Sequence, residues 1–140
     1  TDLERFLPPK GDEWSTPAGE NIRRFLDQPE KPVILALSRP DPRKNICALL
    51  EAYGGSERLR SLANLVIIAG NRDDISEMEE GAREVLSDIL LTIDQYDLYG
   101  KVAYPKAHRP EDVPVLYRIA AASQGVFVNP ALTEPPGLFT

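Results

Sequence analysis

The stretch "LALSRPDPRKN", Leu35 to Asn45, gathers Arg39, Arg43 and Lys44 in one segment with two prolines and no glycine. Cations set this closely suit the holding of an anion, a phosphate above all. The segment follows an apolar run and precedes a helical pattern. Backbone N–H groups at a helix start would therefore add to the side-chain charge. The alternative is a solvated turn in which Asp41 pairs with a neighbouring arginine. Other chemistry-bearing residues are sparse. Asp73 and Asp74 are adjacent carboxylates with no third ligand nearby in sequence, a pattern that fits a solvated loop better than a metal site. One histidine, His108, and one cysteine, Cys47, make a poor zinc set, and a single cysteine forms no internal disulfide. Trp14 reads as packing or interdomain contact, because nothing around it specifies a stacked ligand.

These residues need elements to position them. "PVILAL" (Pro32 to Leu37) and "NLVIIAG" (Asn64 to Gly70) are short continuous apolar runs rich in β-formers, and "KVAY" (Lys101 to Tyr104) and "GVFVNP" (Gly125 to Pro130) are weaker ones. Between them the period changes. Ile46, Leu49, Leu50 and Tyr53 form a helical stripe, as do Val113, Leu116 and Ala120, with Asp112 and Pro114 near that helix's start. Met78, Ala82, Val85, Ile89, Ile93 and Tyr96 mark a long helix, and Ser76 and Glu79 have capping-box spacing at its beginning. Strands without alternating polar residues are buried on both faces, and helices separate these. The pattern predicts an α/β fold, a Rossmann-like parallel sheet with helices on both faces and strands near 33–37, 65–69, 101–104 and 125–128. Ligands of such sheets sit beyond the carboxyl ends of the strands. The loops Ser38 to Lys44, Gly70 to Asp74, Pro105 to Glu111 and Asn129 to Gly137 should therefore share one edge.

Residues 1–30 read differently. "LPPKGDEW" carries two prolines and a glycine, an extended linker, and a short helix with Ile22, Phe25 and Leu26 on one side follows it. The division is thus an interdomain linker with a short helix over 1–30 and a partial domain over 31–140. With 140 residues, 42% hydrophobic and 27% charged, the chain has the composition of one globular domain. A net charge of -6 argues against general nucleic-acid or anionic-membrane binding, so any anion site must be a local cluster of cations. No apolar stretch approaches a membrane span and no signal-peptide pattern opens the chain, so a cytoplasmic protein without a bound metal is the expectation.

Four blocks, "ALSRPDPRKN", "NLVIIAGNRDD", "YPKAHRPEDVPVLYRIAA" and "GVFVNPALTEPPG", together resemble the sucrose-phosphate synthase family. The resemblance runs over nearly all of Lys31 to Gly137, and "PEDVPVLYRIAA" and "VFVNPALTEP" favour this family over the related sucrose synthases. It implies a retaining GT-B glycosyltransferase of family 4, with two Rossmann-like domains facing each other across a cleft. The C-terminal domain binds the nucleotide sugar, and the N-terminal domain supplies most of the acceptor site. This chain resembles part of the donor domain. The implied activity is formation of sucrose 6-phosphate from UDP-glucose and fructose 6-phosphate. The acceptor site would lie on a missing N-terminal domain, and the chain would be inactive alone. Alternatives are a sucrose synthase-like or other family-4 enzyme, or a non-catalytic nucleotide-binding domain.

The resemblance also assigns roles to residues. Arg39 and Lys44 match a basic pair that grips the donor diphosphate, and Arg43 reads as solvent-facing. Glu134 matches a glutamate that hydrogen-bonds the donor sugar hydroxyls, and the backbone amides of Gly137 and Leu138 would approach the sugar or phosphate. His108 and Val113 fall beside the base, Val113 partly through its backbone; the alternative for His108 is an exposed loop histidine without a role. Asn71 and Arg72, at a strand end, would border the nucleotide. No cofactor or obligate metal is implied. The sequence departs from the family pattern where Pro136 replaces an aromatic and "GLFT" ends the chain before a second glutamate. Pro136 also lacks an N–H, which removes one possible donor.

Overall fold

The computed structural model describes residues 13–39 and 45–128. Four strands, β1 (Val33–Leu37), β2 (Asn64–Ile68), β3 (Val102–Ala103) and β4 (Val126–Val128), form one sheet in the order β3-β2-β1-β4. All three pairings are parallel, with Leu35 opposite Val66 and Phe127, and Leu65 opposite Val102. Among the described residues five α-helices accompany them: α1 (Pro17–Arg23), α2 (Ile46–Gly54), α3 (Glu57–Leu62), α4 (Glu80–Gln95) and α5 (Asp112–Ala122).

The two-faced burial follows from the period of a strand, which sends alternate side chains to opposite sides. Every residue of β2 is buried. Leu65 and Ile67 point into one core with Ile46, Leu50 and Tyr53 of α2 and Val85, Leu86, Ile89 and Ile93 of α4. Val66 and Ile68 point into the other, with Ala18 and Ile22 of α1 and Leu116, Ile119 and Ala120 of α5. A fully buried Leu or Ile contributes about 1.5–3 kcal/mol relative to exposure, so β2 feeds both layers strongly. Helices thus cover both faces, the architecture that the alternating pattern predicts. Tyr53 spans its core by donating from its hydroxyl to the Ala63 carbonyl at 2.6 Å, and burial pushes the phenol up to about 12.

Residues ahead of β1 are tied to the same body. Thr16 caps α1 by accepting from the Gly19 N–H at 3.0 Å, and Ile22 and Leu26 are buried. The helix stops at Arg23, before Phe25 and Leu26. The Asp27 N–H donates to the Gly100 carbonyl at 2.9 Å, and Asn64 Nδ2 donates to the Gln28 carbonyl at 2.8 Å.

Three local expectations need correction. Ser76 does not open the long helix; it lies in a single 3-10 turn, Ile75–Glu77, whose start is capped by Asp74. Extended backbone at Met78 and Glu79 separates the two, and the Glu79 carboxylate itself caps α4, accepting from the Ala82 and Gly81 N–H groups at 2.7 and 3.2 Å. The strand expected over 101–104 contracts to Val102–Ala103. Finally, β4 is not buried on both faces: Val126 and Phe127 are 55% and 45% exposed. Among the described residues it pairs only with β1, at the end of the sheet order, and the Tyr117 ring lies beside Phe127 with centroids 4.9 Å apart.

Candidate functional site

Parallel strands bring their carboxyl ends to one edge, and three described loops meet there. Ser38 and Arg39 leave β1, Ala69 to Asp74 leave β2, and Tyr104 to Glu111 run from β3 to α5. The Ser38 N–H still donates to the Ile68 carbonyl at 2.9 Å, so the ladder extends to the residue before Arg39. Arg39 is exposed at that edge, where its charge can meet a ligand from solvent. Asn45 stands at the start of α2 with a left-handed φ of 58°, and its side chain does not cap the helix. Lys44, Arg43, Glu134, Pro136, Gly137 and Leu138 lie outside the described residues.

His108 and Val113 both lie at this edge, on either side of a tight cap. The His108 N–H donates to Asn71 Oδ1 at 2.8 Å, while its ring Nδ1 is buried without a partner. Val113, half-buried in the first turn of α5, has its N–H directed at the Pro110 carbonyl at 3.3 Å. A ligand using that backbone N–H would share or displace this bond. Between them Asp112 accepts from the Arg109 N–H at 2.8 Å and from the Arg109 guanidinium at 3.1 Å. Burial works against the Asp112 carboxylate, but the bonds from Arg109 and the nearby charges of Arg109 and His108 outweigh it. They hold the acid below its usual range.

A depressed acid stabilises the fold above its unfolded pKa and loses that contribution as pH falls through the folded value. Asp112→Ala is therefore expected to cost about 1–2 kcal/mol at neutral pH, the value of its hydrogen bonds. The gap to the parent should narrow below about pH 4. Urea unfolding of both proteins across that range reads the difference.

The loops after β2 and β3 enclose an open cleft of about 510 Å³ lined by Asn71, Arg72, Asp73, Asp74, Glu77, Met78 and Ala107. Asp74 is structurally occupied there, its carboxylate accepting from the Ser76 N–H at 2.9 Å and the Ser76 hydroxyl at 2.7 Å. Those bonds lower its pKa. Among the described residues no group of three or more acidic, histidine or cysteine side chains is gathered to hold a metal ion. A second hollow, about 190 Å³, lies at the opposite edge and is lined by Glu13, Trp14, Glu30 and Ser123. There the Glu13 carboxylate pairs with Arg118 Nε at 3.5 Å. Among the described residues no helix is long and apolar enough to cross a membrane.

Sequence reasoning gave Asn71 and Arg72 only a bordering role. In the structure they carry most of the contact between the two loops, and a polar pair directly after a buried strand was the available signal.

No protein-family model matches the chain. It is 56% identical over 138 residues to probable sucrose-phosphate synthase 5 of Oryza sativa subsp. japonica, covering 98% of this chain and 14% of that protein. It is 52% identical over 140 residues to sucrose-phosphate synthase 4 of Arabidopsis thaliana, covering 98% and 13%. With the sucrose-phosphate synthase of Zea mays the identity is 57% over 122 residues, covering 87% and 11%. The chain therefore spans about one-seventh or less of these relatives' length. Among solved structures, the chain resembles a UDP-forming α,α-trehalose-phosphate synthase from Burkholderia xenovorans, with a TM-score of 0.58 at 15% identity over 79% of this chain and 25% of that one. It also resembles the C-terminal domain of a group 1 family glycosyl transferase from Francisella tularensis, with a TM-score of 0.56 at 13% identity over 96% and 73%. These two likenesses carry the fold alone, a Rossmann-like parallel sheet with helices on both faces.

Proposed function

Because the chain is homologous to a segment of the sucrose-phosphate synthases, at 52–58% identity, we propose that it is the donor-binding part of a retaining glucosyltransferase. The reaction is the formation of sucrose 6-phosphate from UDP-glucose and fructose 6-phosphate. The observation that carries this reading is the convergence of the Arg39 loop, the Asn71–Asp74 loop and the His108–Val113 loop on one sheet edge.

In this reading Arg39 and Lys44 receive the negative charge that gathers on the diphosphate as the sugar–phosphate bond breaks, a stabilisation largest in the transition state. Glu134 accepts from the donor sugar hydroxyls, and the N–H groups of Gly137 and Leu138 donate to the sugar or phosphate. His108 and Val113 contact the base. No side chain here is assigned as a covalent nucleophile. The leaving diphosphate helps deprotonate the acceptor hydroxyl, and no resident metal is required. The acceptor is held by a further domain, whose closure would exclude water and align the reactants. The 140-residue chain therefore binds donor without transferring sugar. A cytoplasmic location belongs to the same proposal.

Nuclear magnetic resonance with UDP tests the assignment. The amides of Ser38, Arg39, Asn71, His108 and Val113 should shift, while Trp14, Glu30 and Ser123 at the opposite edge should not. Shifts confined to the opposite edge, or none at all, would overturn it.

A further inference from the structure

We propose that Asn71 and Arg72 are positioning residues that set the shape of the Tyr104–Arg109 loop and, through it, the contribution of the base to nucleotide binding. The inference rests on the donor reading above. Both line the cleft after β2, and the role inferred for them is to hold the loop rather than to bind the nucleotide directly.

The chain leaves β2 through Gly70, whose φ of 80° turns it toward the loop after β3. Five hydrogen bonds then join the two loops. The Arg72 N–H donates to the Lys106 carbonyl at 2.8 Å. Arg72 Nη1 and Nη2 donate to the consecutive carbonyls of Pro105 and Tyr104 at 3.2 and 3.0 Å. Asn71 Oδ1 accepts from the His108 N–H at 2.8 Å, and Lys106 Nζ returns to the Asp73 carbonyl at 2.7 Å.

The geometry makes this a brace rather than a chance contact. Arg72 is half-buried and spends its fork on two adjacent carbonyls, which fixes the direction of both peptide groups. Tyr104, at the root of the loop, is packed against the Phe25 ring at 4.6 Å. His108 has no hydrogen bond at its buried ring Nδ1, so its own side chain does not fix its position through that atom. Its backbone bond to Asn71 anchors that side, beside the 3.2 Å bond that Asn21 Nδ2 donates to the Ala107 carbonyl. Beyond it, the Arg109–Asp112 cap fixes the step into α5 and Val113. Arg39 stands on the β1 loop, outside this brace, so phosphate binding and base binding should be separable.

Asn71 is exposed, so its substitution is safe for folding. The test compares UDP with inorganic pyrophosphate by titration calorimetry on the 140-residue chain. In Asn71→Ala the UDP affinity should fall about three- to tenfold, the weight of one hydrogen bond, with pyrophosphate affinity unchanged. Arg72→Lys, whose single ammonium cannot hold both carbonyls, should fall by at least as much. Asn71→Asp keeps an acceptor for the His108 N–H. Its added charge repels both ligands, so the ratio of UDP to pyrophosphate affinity should return to the parent's value. Ratios unchanged in Asn71→Ala and Arg72→Lys, or equal loss for both ligands, would overturn the inference. Failure of the parent chain to bind either ligand would instead bring down the donor reading, and this inference with it.

Discussion

Gly125→Ala should unfold this domain far more easily than its single added methyl suggests. A Cβ at Gly125 would fall on the carbonyl of Val33, and backbone cannot rotate away as a side chain can. Neither partner is free to retreat. The Val33 N–H donates to Ser123 Oγ at 2.9 Å, the Gly125 N–H donates to the Ala120 carbonyl at 2.8 Å, and Ile34 is in register with Val126. Relief requires moving β1 from β4 or breaking the end of α5, either of which disturbs the core around Leu35 and Ile119. The expected cost is about 3 kcal/mol or more, at the upper end for overpacking. In a domain of this size that lowers Tm by roughly 10 °C. Gly55→Ala is the control. There the added Cβ meets only the Glu51 carbonyl, at 3.1 Å, and the change should be within about 1 kcal/mol of neutral. Thermal unfolding of both variants beside the parent measures the contrast; similar melting for the two would contradict it.

The second large effect concerns the cations at the ligand edge. Arg39 is exposed at the end of β1, and Lys44 precedes α2 by one residue beyond Asn45. If both grip a diphosphate, each supplies a hydrogen bond to a charged group, worth about 1.5–3 kcal/mol. Removing either should weaken UDP binding roughly ten- to a hundredfold. Arg43→Ala should cost much less. The effect should also shrink in high salt, because an exposed cation is screened.

The central framework was readable because its signals are local. "PVILAL" and "NLVIIAG" became β1 and β2, since central parallel strands need apolar residues on both faces. Ile46, Leu50 and Tyr53 are buried along α2 as their spacing requires. What the sequence hid were competitions between distant or alternative partners. "KVAY" promised a longer strand, but the Tyr104 carbonyl is taken by Arg72 and Pro105 has no N–H to continue a ladder. Ser76 and Glu79 had the right spacing for a capping box, yet Asp74 captured Ser76 and left Glu79 to cap the helix alone. The bond of Asn71 to His108 joins residues far apart in the chain, which no periodicity reveals. The exposure of Phe127 follows from its place at the sheet end rather than from its own neighbours. At the candidate site, Arg39 was singled out by its residue type and its position after a strand, and His108 and Val113 by the resemblance of their loop. That they lie on one edge follows from parallel pairing.

Titration calorimetry of UDP against the parent chain, Arg39→Ala and Lys44→Ala, with uridine run alongside, bears most directly on the donor reading. Measurable UDP binding by the parent, weakened roughly ten- to a hundredfold in each variant, is the expected result, with uridine barely distinguishing the three proteins. Equal UDP affinity in all three would mean that the segment around Arg39 is a charged turn and nothing more, and the donor-site assignment would be wrong.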